Sequence, residues 1–171
     1  MVKYIFTIFF LFPIYGFQYY IAEEFGNKKH KLNSELLVQN TTKKIDNFFT
    51  IEYFPIIDEI YFLISKNRRP DAIIKANIAL KKLKNIDPNF KLINQYYEVY
   101  DLLGLLYRSE GELDKSEDIY LKSLELISKR YGSKNDYFIS NQYALADVYF
   151  QKGLFKKAEI ITEECINAVK E

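Results

Sequence analysis

The chain has 171 residues, enough for one domain with a real core, and 49% of them are apolar, which sets it apart from a disordered polypeptide. A net charge of +1 gives no overall pull toward nucleic acid or an anionic membrane. One cysteine, Cys165, excludes an internal disulfide and a thiolate metal cluster; one histidine, His30, sits in the lysine-rich run Asn27-Lys28-Lys29-His30-Lys31 with no ligand at metal spacing, so no metal or other cofactor is expected.

Residues 1–16 carry the marks of a targeting segment. Lys3 supplies a small positive start, residues 4–12 (YIFTIFFLF) form an apolar run of signal-peptide length, Pro13 breaks the helix, and Gly16 is small enough to precede a cleavage point. An uncleaved membrane anchor is the alternative, because the mostly apolar stretch 4–22 has roughly the length that spans a bilayer. A buried aromatic helix is a third reading. The expected location is therefore exported, periplasmic or secreted, or membrane-attached through the N-terminus. No cysteine follows the apolar run, which excludes a lipoprotein anchor.

Residues 17–53 read as a linker (17–33) and a weakly patterned helix (34–50), broken at Asn40-Thr41-Thr42, a triplet that also fits an N-glycosylation sequon. Charge shifts along the chain: residues 1–96 are net +5 and residues 97–171 net −4, so the C-terminal half presents a mildly acidic surface.

From residue 54 to 171 the pattern is helical and repeats itself. Leu103, Gly104, Tyr107, Gly111 and Ser116 recur as Leu145, Ala146, Tyr149, Gly153 and Ala158, each pair 42 residues apart. Leu, small and aromatic positions within one helical turn share a face, and the small residue allows a second helix to approach closely. Gly111 and Gly153 fit helix ends that need a left-handed residue, which Gly or Asn adopts most cheaply. Ser123 and Cys165 continue the small positions of the second helix. An earlier, degenerate unit has Ala72, Ala76 and Ala79 at the small positions, with Ala72 placed 44 residues before Ser116; its first helix, about 55–65, has Glu59 where Leu is expected and Ile60 where a small residue is expected. The expected units are about 54–88, 97–131 and 139–171.

These residues resemble the tetratricopeptide repeat family, and the longer period with Gly132 after the second helix is similar to the kinesin-light-chain-type variant. The resemblance implies an all-α fold, an α-solenoid of antiparallel helix pairs, whose first helices line a concave groove that binds a peptide or partner helix. Carried onto this chain, the groove is lined by Glu98, Asp101, Leu102, Leu105 and Arg108 from one unit and by Ser140, Tyr143, Asp147 and Phe150 from the next. Its mix of carboxylates and aromatics suits a basic or amphipathic protein partner. The positions at which some family members clamp a chaperone carboxylate hold Ile57, Tyr61, Leu102, Ser140 and Ala144, so that role is not expected. Ile160, Ile161, Cys165, Ile166 and Val169 on the last helix are expected to leave an apolar face open, for self-association into a homo-oligomer or for docking.

No phosphate-binding glycine loop, nucleophile elbow, metalloprotease motif or cysteine pair occurs. Glu163-Glu164 and Glu23-Glu24 are sequence neighbours that do not face each other on a helix. Lys81, Lys82 and Lys84 form only a short basic cluster, so nucleic acid is not an expected partner. The sequence therefore points to a non-enzymatic scaffold, with a membrane-anchored assembly component as the alternative.

Overall fold

The computed structural model describes residues 28–170, and the signal or anchor segment expected at 1–16 lies outside them. No strand occurs among the described residues. The described residues fall into two units that divide between Glu52 and Tyr53.

In the first unit, helix α1 runs over Lys28–Asn47 and leads into a π-helical segment, Phe48–Tyr53, that reaches the start of the second unit. Two sequence expectations are corrected here. The helix begins inside the stretch read as a linker, and it passes through Asn40-Thr41-Thr42 without a break. Thr41 keeps its hydroxyl within the helix by donating to the Leu37 carbonyl at 2.8 Å, which meets its polar demand without ending the helix.

The second unit is built from six helices: α2 (Phe54–Ser65), α3 (Arg69–Ile86), α4 (Ile93–Ser109), α5 (Leu113–Tyr131), α6 (Asp136–Gln151) and α7 (Phe155–Lys170). Each packs on the next, and α4 also touches α6. This is an all-α helical repeat of consecutive pairs.

One turn geometry joins the helices of every pair. Asn67, Gly111 and Gly153 all have left-handed φ values, 56°, 76° and 74°. In each turn the next backbone N–H closes the helix end: Arg68 to the Leu63 carbonyl, Glu112 to that of Tyr107 and Leu154 to that of Tyr149, at 2.8, 2.9 and 2.8 Å. This is a Schellman cap repeated three times, with Asn serving in the first pair where Gly serves in the others. It places Ala72, Ser116 and Ala158 at the same point of each second helix, and all three are buried.

Within the middle pair, Gly104 lies under the ring of Tyr120, and Ser116 Oγ donates to the Gly104 carbonyl at 2.7 Å. In the first pair the sizes are exchanged: Ile60 stands at the Gly104 position and Ala76 at the Tyr120 position, both fully buried. The degenerate look of Glu59-Ile60 is thereby explained. Glu59 turns outward to pair with Lys75 at 2.8 Å, while Ile60 fills the volume its facing alanine leaves.

Between pairs the chain turns on polar caps, one buried and one half-buried. Asp87 caps the start of α4 by accepting from the Leu92 N–H at 2.6 Å, and its carbonyl accepts from the Tyr96 hydroxyl at 2.8 Å. Asn135 caps α6 by accepting from the Tyr137 N–H at 3.0 Å. Core residues Tyr120, Leu124, Leu145, Val148, Tyr149 and Ala158 then join α5, α6 and α7 into one cluster.

Candidate partner-binding groove

The first helices of the pairs carry a stripe of surface side chains at steps of three, four and three residues. On α4 the stripe is Glu98, Asp101, Leu105 and Arg108; on α6 it is Ser140, Tyr143, Asp147 and Phe150. Helical geometry puts each set on one face. Glu98, Asp101 and Arg108 are half-buried, whereas Leu105, Ser140, Tyr143, Asp147 and Phe150 are exposed. Leu102, expected in the groove, is not part of it. It lies one residue off the stripe and turns into the core, only 5% exposed.

Applying the same stripe to α2, 44 residues earlier, reaches Tyr61, which is half exposed. It was legible in the sequence by that register. Tyr53 and Tyr97 had no such signal and join the site through the fold.

Electrostatics organise the α4 part of the groove around two carboxylates. The Tyr53 hydroxyl, buried beside α4, donates to Glu98 Oε2 at 2.6 Å. Burial and then the Glu98 charge hold that phenol far above its ordinary range. Asp101 is raised above the usual carboxylate value by burial, which Arg108 partly offsets. Its charge in turn pushes Tyr61, Tyr97 and Tyr120 upward, in each case as a contribution added to burial. Asp101 therefore acts electrostatically on phenols contributed by three helices.

Arg108 on α4 is held by an ion pair with Asp147 on α6, which also accepts from Gln151 Nε2 at 3.3 Å. This pair joins α4 to α6 and neutralises both groups. The net charge left on the stripe is that of Glu98 and Asp101. Tyr97 packs against Tyr137 with ring centroids 4.4 Å apart and the rings tilted by 35°, a second contact between α4 and α6.

On the last helix the expected apolar face divides in two. Ile160 and Ile166 are exposed, 46% and 42%. Cys165 is fully buried and Ile161 packs against the core cluster, so neither belongs to an open face. The physical reason is register: Ala158, Ile161 and Cys165 recur at steps of three and four and form the stripe that α7 turns toward α6. The Val169 side chain lies outside the described ones. Phe155, which the sequence reading passed over, is 61% exposed and forms an edge-to-face pair with Phe150 at 5.3 Å.

Among the described residues no group of His, Cys, Asp or Glu side chains is arranged to hold a metal ion, and no helix is long and apolar enough to cross a membrane.

Residues 96–171 match the family model described as tetratricopeptide repeat, a little under half of the chain. No curated protein matches the chain.

Proposed function

We propose that this protein is a non-enzymatic adaptor that holds a partner segment in a groove over α4 and α6: residues 96–171 match the tetratricopeptide repeat, a module that generally binds other proteins and is generally a non-catalytic scaffold. The observation that carries this reading is the half-buried pair Glu98 and Asp101 on the α4 stripe with exposed Leu105, alongside half-exposed Tyr61 on α2 and exposed Tyr143 on α6. Carboxylates beside aromatic faces favour lysine or arginine, through charge and through cation–π attraction. Leu105 and Tyr143 offer apolar anchors on the same face. The partner is a basic amphipathic helix or extended segment.

The test is site-specific photocrosslinking in the native host. A crosslinker at Leu105 or Tyr143 is expected to yield a discrete adduct, and one at Leu121 on α5 is not. In the chain carrying the crosslinker at Leu105, replacing Asp101, Tyr143 and Asp147 together by Ala is expected to remove the adduct. An equal yield from Leu121, or an adduct that survives the triple substitution, refutes groove binding.

The same proposal places the adaptor outside the cytoplasm or at a membrane, on the strength of the apolar run at 4–12 behind Lys3. A mature chain starting near Phe17 is the expected product in the host; intact Met1 in a soluble cytoplasmic fraction contradicts it. The 42-residue spacing of the Gly111 and Gly153 turns supports the longer-period variant of the repeat.

A further inference from the structure

The packing of α6 on α5 gives a template for what the uncovered face of α7 accepts. α6 covers the α5 stripe that holds Leu113, Tyr120 and Leu124, leaving Tyr120 1% and Leu124 9% exposed. At its C-terminal end Lys152 bridges Asp114 and Glu117 at 2.6 and 2.5 Å.

α7 presents the same stripe 42 residues later, as Phe155, Thr162 and Ile166, with Glu159 in place of Glu117 and Lys156 in place of Asp114. No described element covers it. Phe155 and Phe150 are each 61% exposed, and with Tyr143 they line a groove of about 860 Å³ floored by Ala146 and Ala158. Single exposed apolar side chains are ordinary, but two phenylalanines in contact on an open groove, with exposed Tyr143 beside them and Ile166 continuing the stripe, make a patch of the kind that marks an interface.

The charges beside this stripe select the occupant. Lys156 and Glu163 lie seven residues apart, on one flank of α7. Glu163 has no ion-pair partner among the described residues, and Lys156 reaches Glu159 only at 3.3 Å with both side chains well exposed. A two-fold axis midway between Lys156 and Glu163 would bring each lysine against the glutamate of a second copy. The same axis brings Ile166 of one copy to within two residues, about 3 Å along the helix, of Phe155 of the other. The corresponding flank of α5 holds Asp114 and Leu121, which have no such self-complementarity.

We propose that this face joins two copies of the chain, with their α7 helices antiparallel, Glu159 and Thr162 of each copy nearest the axis, Phe155 and Ile166 toward the two ends of the contact, and two Lys156–Glu163 pairs along its flank. Such a contact is isologous and closes at the dimer.

Sedimentation velocity of the full chain over a concentration series tests it. The wild type is expected to show a monomer–dimer equilibrium with nothing larger. Lys156→Glu and Glu163→Lys, each placing like charges at both symmetric rims, are expected to weaken the dimer about tenfold, which corresponds to about 1.4 kcal/mol. The double swap, Lys156→Glu with Glu163→Lys, is expected to restore it. Circular dichroism should show unchanged helicity in all variants, since both side chains are exposed. A wild type that stays monomeric throughout, an assembly larger than a dimer, an association indifferent to the single substitutions, or a double swap that fails to restore it each overturns the proposal.

Discussion

The ring of Tyr120 lies so close to Gly104 that a methyl group on residue 104 would come within 2.5 Å of Tyr120 Cζ. Tyr120 is 1% exposed and hemmed in by the α5–α6–α7 cluster, so it has little room to yield. Gly104→Ala should therefore destabilise the fold by about 1–2 kcal/mol, the overpacking loss exceeding the helix-propensity gain of roughly 1 kcal/mol. The third pair shows the compensation, with Ala146 and Thr162 at these two positions. In a Tyr120→Thr background, Gly104→Ala should become neutral or stabilising. Urea denaturation of the four chains of this cycle measures the coupling, expected at about 1 kcal/mol or more; simple additivity contradicts the account.

The three repeated turns allow backbone strain to be separated from packing. Gly111 has φ 76°, and a Cβ there would meet nothing within 4 Å. Any loss on substitution thus belongs to the backbone. Gly111→Ala is expected to lower stability by about 1–2 kcal/mol. Gly111→Asn should lower it by clearly less, because Asn67 already occupies the same turn in the first pair at φ 56°. Equal losses for Ala and Asn in chemical denaturation would show that the left-handed conformation is not what residue 111 supplies.

How much of this was legible beforehand depends on whether one helix period suffices to decide it. The pairs, their turns and the small positions Ser116, Ala158 and Ser123 follow from periodicity and glycine placement, and they lie where that reasoning puts them. Leu102 and Cys165 were misjudged because each is one step from a surface stripe, and the direction in which a stripe faces is fixed by the neighbouring helix. Thr41 was misread because a hydroxyl that favours turns also bonds back to its own helix. Tyr53 and Tyr97 reach the groove through packing between elements distant in sequence, and no local pattern marks them.

Asp101 gives the groove a pH signature. Its carboxyl is raised by burial, with Arg108 offsetting only part of the effect. A group that is easier to protonate in the folded chain than in the unfolded chain binds more protons when folded, so stability declines as pH rises from the ordinary carboxyl value through the raised one. Ionised Asp101 is then a net cost to the unliganded protein at neutral pH. Asp101→Asn is expected to raise the urea midpoint at neutral pH, and the gap from wild type should close on acidification toward about pH 4, where unfolded carboxyls also protonate. A variant that is less stable at neutral pH, or a gap that does not change with pH, would mean that Arg108 and not burial governs this residue.

Cys165 supplies a probe of the last helix pair. The side chain is fully buried, its sulfur directed toward the Ile139 carbonyl at 3.9 Å and Gln142 Oε1 at 3.5 Å. Burial and then the neighbouring Glu164 charge push the thiol above its ordinary value. Both factors suppress the thiolate, which is the reactive form. A disulfide reagent should accordingly modify the native chain slowly and the urea-unfolded chain at once. Because α7 packs chiefly on α6, the native rate should report mainly the separation of these two helices. Leu145→Ala, which opens a cavity in the cluster joining them, is expected to destabilise by about 2–5 kcal/mol and to speed native labelling in proportion to the weakened docking of α7. Labelling that is immediate in the wild type would place the thiol on an open surface, and labelling unaffected by Leu145→Ala would uncouple it from the helix pair.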